Sequence, residues 1–214
     1  MSGEKNITNR MGDVLLALGQ AATADITPTK IQLQKFVYLV DVIGQVLGVL
    51  RLREGHKTYR NGPYDVAIQN AVDCLAFRGL VTISGTWRTP SGHLAVRYAL
   101  APEGRPLESA IRTSEAFARK SQVVAMVGVE LKSIGWGRIV QLVYAEPTFV
   151  ATRPFGWGAP LIAENGLNVS AAFLLSIMRR FADSLREDAA TSAWLTDNFF
   201  GYLSSYAGRH ANLD

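Results

Sequence analysis

The chain has 214 residues, 48% of them hydrophobic and 19% charged, a composition that suits a folded globular protein and excludes disorder over most of its length. Its formal charge of +4 comes from 22 Lys+Arg against 18 Asp+Glu without a dense basic block, so composition permits nucleic-acid binding but does not point to it. The single cysteine, Cys74, excludes an intrachain disulfide and a cysteine-based zinc cluster, and reads as a small buried filler in a reducing, cytoplasmic setting.

In chain order, the opening MSGEKN carries early acid and no apolar core, so no signal peptide is expected. A first helix is predicted from Met11, Val14, Leu15 and Leu18, capped by Asn6 or Thr8 and ending in the polar AATAD. In ITPTK, Thr27 is expected at an N-cap and Pro28 at the first helical position. Leu33, Phe36, Val37, Val40, Ile43 and Leu47 then form a strong apolar stripe. The connector RLREGHKTYR sets Arg51, Arg53, Lys57 and Arg60 against Glu54. Residues 59–81, YRNGPYDVAIQNAVDCLAFRGLV, predict a turn, a helix with Pro63 at its first position, and a left-handed stop at Gly79. The inner stripe of that helix is Tyr64, Ala67, Ile68, Ala71, Val72 and Leu75, and its opposite face is expected to turn Asp65, Gln69, Asn70 and Asp73 to solvent.

LVTISG and LAVRYAL are short β-favouring runs separated by TWRTPSGH, whose Pro90, Ser91 and Gly92 are turn residues, so a hairpin is predicted. Three helices followed by a two-stranded wing is the order of a winged helix-turn-helix. The fold class expected is therefore mainly α with a small β wing, a winged helix-turn-helix domain over 1–104 followed by a helical C-terminal half over 105–214. In that second half Leu107, Ile111, Val124, Val127 and Leu131 predict helices from about 106 to 133, broken by Gly-Trp-Gly at 135–137, with a short helix in RIVQLVYA. Residues 153–166, RPFGWGAPLIAENG, are too apolar for a flexible linker and too broken for a helix, and read as an ordered loop. Its Phe155 and Trp157 must pack against two further helices, about 168–186 and 190–206, or against another chain. The longest uncharged apolar stretch, NGLNVSAAFLLSIM, falls short of the roughly 20 residues of a membrane span.

Catalytic signatures are missing from the sequence: it holds no P-loop, no dinucleotide fingerprint and no nucleophile elbow. His56, His93 and His210 lack metal-ligand spacing and are expected to be exposed and unliganded. Glu130-Leu131-Lys132 has the E-x-K form of some metal-dependent nucleases, but it reads as helix with no strand-borne acid before it, and a helical surface pair is preferred. No catalytic residue, metal ligand or cofactor is expected. Specific DNA readers place Arg, Lys, Asn or Gln on the outer face of the third helix; Gln69 and Asn70 fit, whereas Asp65 and Asp73 would meet phosphate of like charge. Base lies instead on the connector and wing, where Arg51, Arg53, Lys57, Arg60, Arg88 and Arg97 are candidate contacts to a nucleic-acid backbone, weak and unspecific. Asp65, Gln69 and Asp73, with Phe155 and Trp157, are candidate contacts to a protein partner.

Two segments together, LQKFVYLVD at 33–41 and YRNGPYDVAIQNAVDCLAFRGLV at 59–81, carry a family resemblance. The pattern of an L-x-K-x-x-Y-L helix, then Y-x-x-G-P-Y/F, a helix and L-x-x-x-G-L-V, resembles a broad prokaryotic group of winged-helix proteins. The group includes SocA-like and Panacea-type antitoxin domains, YwgA-like proteins and accessory subunits of three-component ABC-ATPase defence systems. The match covers roughly the first 100 residues. It implies a non-enzymatic protein-binding module whose partner is a toxin or an ABC-ATPase or SMC-like subunit. Lys35, Tyr38, Tyr59, Gly62, Pro63 and Tyr64 match the motif, mostly in a fold-holding role. A DNA-binding regulator, dimerised through the C-terminal helices, is the alternative. No membrane partner is expected.

Overall fold

The computed structural model describes residues 2–144 apart from 47–49, 51–54, 60, 61, 91 and 93. The 153–166 loop with Phe155 and Trp157, the two C-terminal helices, and Arg51, Arg53 and Arg60 lie outside the described residues, as do His93 and His210.

Helix α1 (Ser2–Thr23) starts at the second residue and runs through both Asn6 and Thr8, so neither is its cap; no proline stands between Ser2 and Met11 to stop it. Val14, Leu15, Leu16, Leu18 and Ala21 are all buried, which no one-faced surface helix would show. Segments 30–46, 66–77, 94–100, 105–113 and 118–134 surround it.

Helix α2 (Lys30–Val46) is capped by Thr29, not Thr27. The Thr29 hydroxyl accepts from the Gln32 N–H (3.2 Å) while Gln32 Oε1 accepts from the Thr29 N–H (2.9 Å), a reciprocal capping box. Pro28 is correspondingly outside the helix. Its carbonyl accepts from the Tyr98 N–H at 2.9 Å, so the segment before α2 is extended and borders a strand.

Helix α3 (Val66–Phe77) begins three residues after Pro63 because Asp65 takes the N-cap, with φ −120° and ψ 116°. Gly62-Pro63 lies in the turn before it, with Gly62 at φ 88°. Gly79, at φ 70°, ends α3 as its position predicts: Gly79 N–H donates to the Ala76 carbonyl (3.0 Å) and Leu80 N–H to that of Leu75 (2.9 Å).

Strands β1 (Val81–Arg88) and β2 (Leu94–Leu100) form the two-stranded antiparallel sheet that the turn residues predict. Val81 pairs with Leu100 and Ser84 with Arg97; a bulge between Ser84 and Trp87 then shifts the register so that Trp87 meets Ala95. On the far edge of β2, Thr29 bridges to Arg97.

A 3-10 turn (Pro102–Gly104) leads into α4 (Arg105–Thr113). A side chain at Gly104 would collide with the Leu80 carbonyl, so glycine lets the end of the hairpin close on the start of α4. A second 3-10 turn (Glu115–Phe117) precedes α5 (Ala118–Ile134), which ends at Gly135 with φ 89°. A third turn (Trp136–Arg138) and α6 (Ile139–Tyr144) complete the described chain. Val123, Val124, Val127 and Leu131 of α5 share one core with α1 and α2, and Trp136 stacks on Phe36 of α2 with ring centroids 5.0 Å apart and planes 10° from parallel. The core therefore runs continuously from α1 to α6, across residue 104. The described protein is mostly helical with one small sheet.

Candidate functional site

Beneath the start of α3 lies a buried ionic node. Arg10, on α1, is 0% exposed. Its Nη1 donates to Asp13 Oδ2 (2.9 Å) and to Asp41 Oδ2 on α2 (2.5 Å); its Nε and Nη2 reach Asp65 Oδ2 at 2.9 and 2.7 Å. Lys120 of α5 enters from the other side, 2.7 Å from Asp13 Oδ1 and 3.0 Å from Asp41 Oδ1. His56, from the connector, places Nε2 3.1 Å from Asp41 Oδ2, with its ring edge-on to Tyr38. Burial alone would lower the affinity of Arg10 for its proton, but Asp41, Asp13 and Asp65 outweigh it and raise the guanidinium above its ordinary value. Burial alone would likewise raise Asp41, yet Lys120 and Arg10, with His56, hold it well below the usual carboxylate range.

Asp65 is the member that carries this network to the surface. Its Oδ2 takes Arg10 while Oδ1 accepts from the Ala67 N–H (2.8 Å), satisfying one of the orphan donors of α3. Its backbone is gripped as well: the Gln34 side chain donates to the Asp65 carbonyl and accepts from the Asp65 N–H, both at 3.0 Å. One residue along α2, Lys35 Nζ donates to the Pro63 carbonyl at 2.8 Å. Lys57 and Tyr64 exchange backbone hydrogen bonds across the Gly62-Pro63 turn at 2.9 and 3.0 Å. The motif residues of α2 and of the turn are thus partners of one another.

Two expectations are overturned here. Asp65, expected on the solvent face, is 1% exposed and engaged with α1, α2 and α3, so it is not available to a partner. The acid sits before the first helical turn, where a cap points back along the chain rather than out along the stripe. His56, expected to be exposed, is buried, because its partners Asp41 and Arg10 are distant in sequence and invisible to local spacing.

With Asp65 withdrawn, the outward face of α3 is Val66, Asn70, Asp73, Cys74 and Phe77. Phe77 is 93% exposed and Val66 60%. Gln69, half-buried, donates to Asp73 Oδ1 at 2.8 Å, so the one exposed carboxylate of this helix is partly satisfied by its neighbour. Cys74 corrects the expectation of a buried filler: the inward positions are Ala67, Ile68, Ala71, Val72 and Leu75, and Cys74 falls on the opposite side.

The described basic candidates do not form one cluster with α3. Lys57 is exposed beside the turn; Tyr59 meets Tyr64 edge-on at 5.2 Å, and the Lys30 ammonium stands 5.5 Å over the Tyr64 ring. Arg97 lies over Trp87 at 5.3 Å, on the wing, with Arg88 exposed at its end. Sequence reasoning missed Lys30 and Trp87, whose roles depend on which chain segments meet. Glu130-Leu131-Lys132 lies within α5, with Leu131 in the core, and no group of His, Cys, Asp and Glu suited to a metal exists among the described residues.

Truncating Asp65 should therefore be far costlier than truncating Asp73. Asp65→Ala removes a cap and leaves a buried guanidinium short of a partner, an expected loss of about 3–5 kcal/mol in urea unfolding. Asp73→Ala is expected to stay within about 0.5 kcal/mol of the parent. Lys35 supplies a pH dependence. Burial lowers its amine from an ordinary 10.5 to about 7, so between those values the unfolded chain binds more protons than the folded one and stability rises with pH. Thermal melts are expected to show that rise from pH 7 to 9.5, and Lys35→Met should flatten it. Compared with family models and with curated proteins, the chain finds no match.

Proposed function

We propose that the chain is a non-enzymatic protein-binding module of winged-helix type, an antitoxin or an adaptor subunit of a prokaryotic toxin–antitoxin or anti-phage defence system. The observation that carries this reading is the outer face of α3. A helix that reads base edges exposes hydrogen-bonding and basic groups, whereas α3 exposes Val66 and Phe77 at its two ends with Asn70 and Asp73 between them. Large apolar side chains set in a polar surround are what a protein partner desolvates and a phosphate wall does not. The order of three helices and a hairpin, with Thr29 bridging to the far side of β2, supports the winged-helix assignment. The motif shared by α2 and the Gly62-Pro63 turn supports the family.

A second reading, a DNA-binding regulator, draws on one observation. Burial of Asp65 leaves Asp73 as the only acid on the outer face of α3, and Lys30 and Lys57 stand exposed near that helix's start. Backbone contact from these lysines, Arg88 and Arg97 would be salt-sensitive and poor in sequence preference.

The test is co-expression with the products of neighbouring genes, followed by affinity capture. Phe77→Asp is expected to weaken capture of the cognate toxin or ATPase by about 2 kcal/mol or more, roughly 30-fold, with an unchanged melting curve. Unchanged capture, together with tight duplex binding that is lost on Asn70→Ala, would establish the regulator instead.

A further inference from the structure

Lys120 stands in the first turn of α5, where the helix dipole disfavours a cation, and its side chain is 5% exposed. Its place is explained by what it meets. The ammonium lies 2.7 Å from Asp13 Oδ1 and donates to Asp41 Oδ1 at 3.0 Å. Each of these carboxylates turns its other oxygen, Oδ2, to Arg10 Nη1. Lys120, Asp13, Arg10 and Asp41 thus close a ring in which cation and carboxylate alternate, drawn from α5, α1 and α2.

The ring decides what Arg10 has left to give. A guanidinium donates in a fixed fork and accepts nothing. Nη1 is taken by Asp13 and Asp41, which leaves Nε and Nη2 for Asp65 Oδ2, at 2.9 and 2.7 Å. Asp13 and Asp41 can leave that edge to Asp65 because Lys120 satisfies their Oδ1 atoms. Without the ammonium, Arg10 would be the one permanent cation among the three carboxylates of the node. Asp13 and Asp41, each with a bare buried oxygen, would then compete with Asp65 for the same N–H groups. Asp65 also caps α3 through Oδ1, so a weaker hold on Arg10 loosens the start of that helix.

We propose that Lys120 is a positioning residue for the outer face of α3: by closing the ring with Asp13 and Asp41 it reserves one edge of Arg10 for Asp65, and so sets where α3 starts and how it is rotated. The proposal rests on the protein-binding reading of that face and deepens it. It makes the seating of α3 depend on α5, a helix outside the segment 1–104 that holds α3 and the hairpin.

The test uses the full chain. Lys120→Met keeps most of the stem and removes the charge. It is expected to raise the hydrogen-exchange rate of the Ala67 amide at least about tenfold, and to shift the Arg10 Nε–H resonance in nitrogen–proton correlation spectra. Lys120→Arg, which restores a cation, should return both signals towards the parent. Competition among the carboxylates predicts a further sign. Lys120→Met combined with Asp13→Asn removes a competitor together with the cation, so the double variant should protect Ala67 better than Lys120→Met alone. If Lys120 merely stabilised the fold, each change would add its own loss and the double variant would be the less protected. Val127→Ala, which thins the core on the same helix, is expected to leave the Arg10 resonance in place. Arg10 and Ala67 signals unmoved by Lys120→Met overturn the proposal, and so does a double variant less protected than the single one. Should Lys120→Met fail to fold, the double variant is required to fold, and its failure also overturns the proposal. If the signals move as expected while Phe77→Asp leaves capture of the neighbouring gene product unchanged, Lys120 positions α3 and the protein-binding reading of its face is refuted. If the signals do not move while Phe77→Asp loses capture, the positioning role is refuted and the reading stands.

Discussion

A guanidinium with no solvent exposure, held by three carboxylates from three different parts of the chain, is the constraint on which the fold of this protein turns. Arg10 comes from α1, and Asp13, Asp41 and Asp65 meet it from α1, from α2 and from the cap of α3. Such a charge is costly to remove from water, and its partners compensate only if the geometry is good and the remaining lone pairs are filled. Lys120 and His56 fill them, and in doing so tie α5 and the connector to the same point. The network works less as a reserve of stability than as a registry device: two cations and three carboxylates can be satisfied together only if α1, α2, α3 and α5 come to one arrangement.

The outer surface inherits its character from this interior. Because Asp65 serves Arg10 and the first turn of α3 at once, the helix starts at Val66, and its rotation about its own axis is settled before any surface residue is considered. Val66, Asn70, Asp73, Cys74 and Phe77 then point outward as a consequence. The Gln34 side chain and the Lys35 amine hold the preceding turn by its backbone, so the Gly62-Pro63 motif acts through main-chain carbonyls and its own side chains need not touch a partner.

Much of the fold can be read from periodicity. The stripe of α2, the inner face of α3, the Gly79 stop and the hairpin with its turn all follow from spacing, and the break at Gly135 follows from glycine. The ionic node does not, since apart from Arg10 and Asp13 its members lie 31, 46, 55 and 79 residues apart in pairs, and local pattern carries no information about such separations. A trace of it is nonetheless present. Arg10 and Asp13 continue the face that Val14 and Ala17 bury, and Asp41 interrupts the apolar run of α2, so charged residues occupy positions that the stripes assign to the core. Read that way, they announce buried partners. The helix starts lie beyond both prolines for a related reason: Pro28 and Pro63 are suited to a first helical turn, but Thr29 with Gln32, and Asp65 with Arg10, offer better caps further on. Exposure of Cys74 does not follow from spacing, because a residue beside an apolar stripe can fall to either side of its boundary.

The claim that most needs testing is that Arg10 and Asp65 act as one unit linking the core to the start of α3. A double-mutant cycle on urea-unfolding free energies, with Arg10→Met, Asp65→Asn and the pair, measures that directly. The account expects the two changes to be strongly non-additive, with a coupling of about 1.5–3 kcal/mol, since either one alone strands a buried group that the other would have removed. Additivity within about 0.5 kcal/mol would contradict it, and would mean that α3 is placed by apolar packing alone.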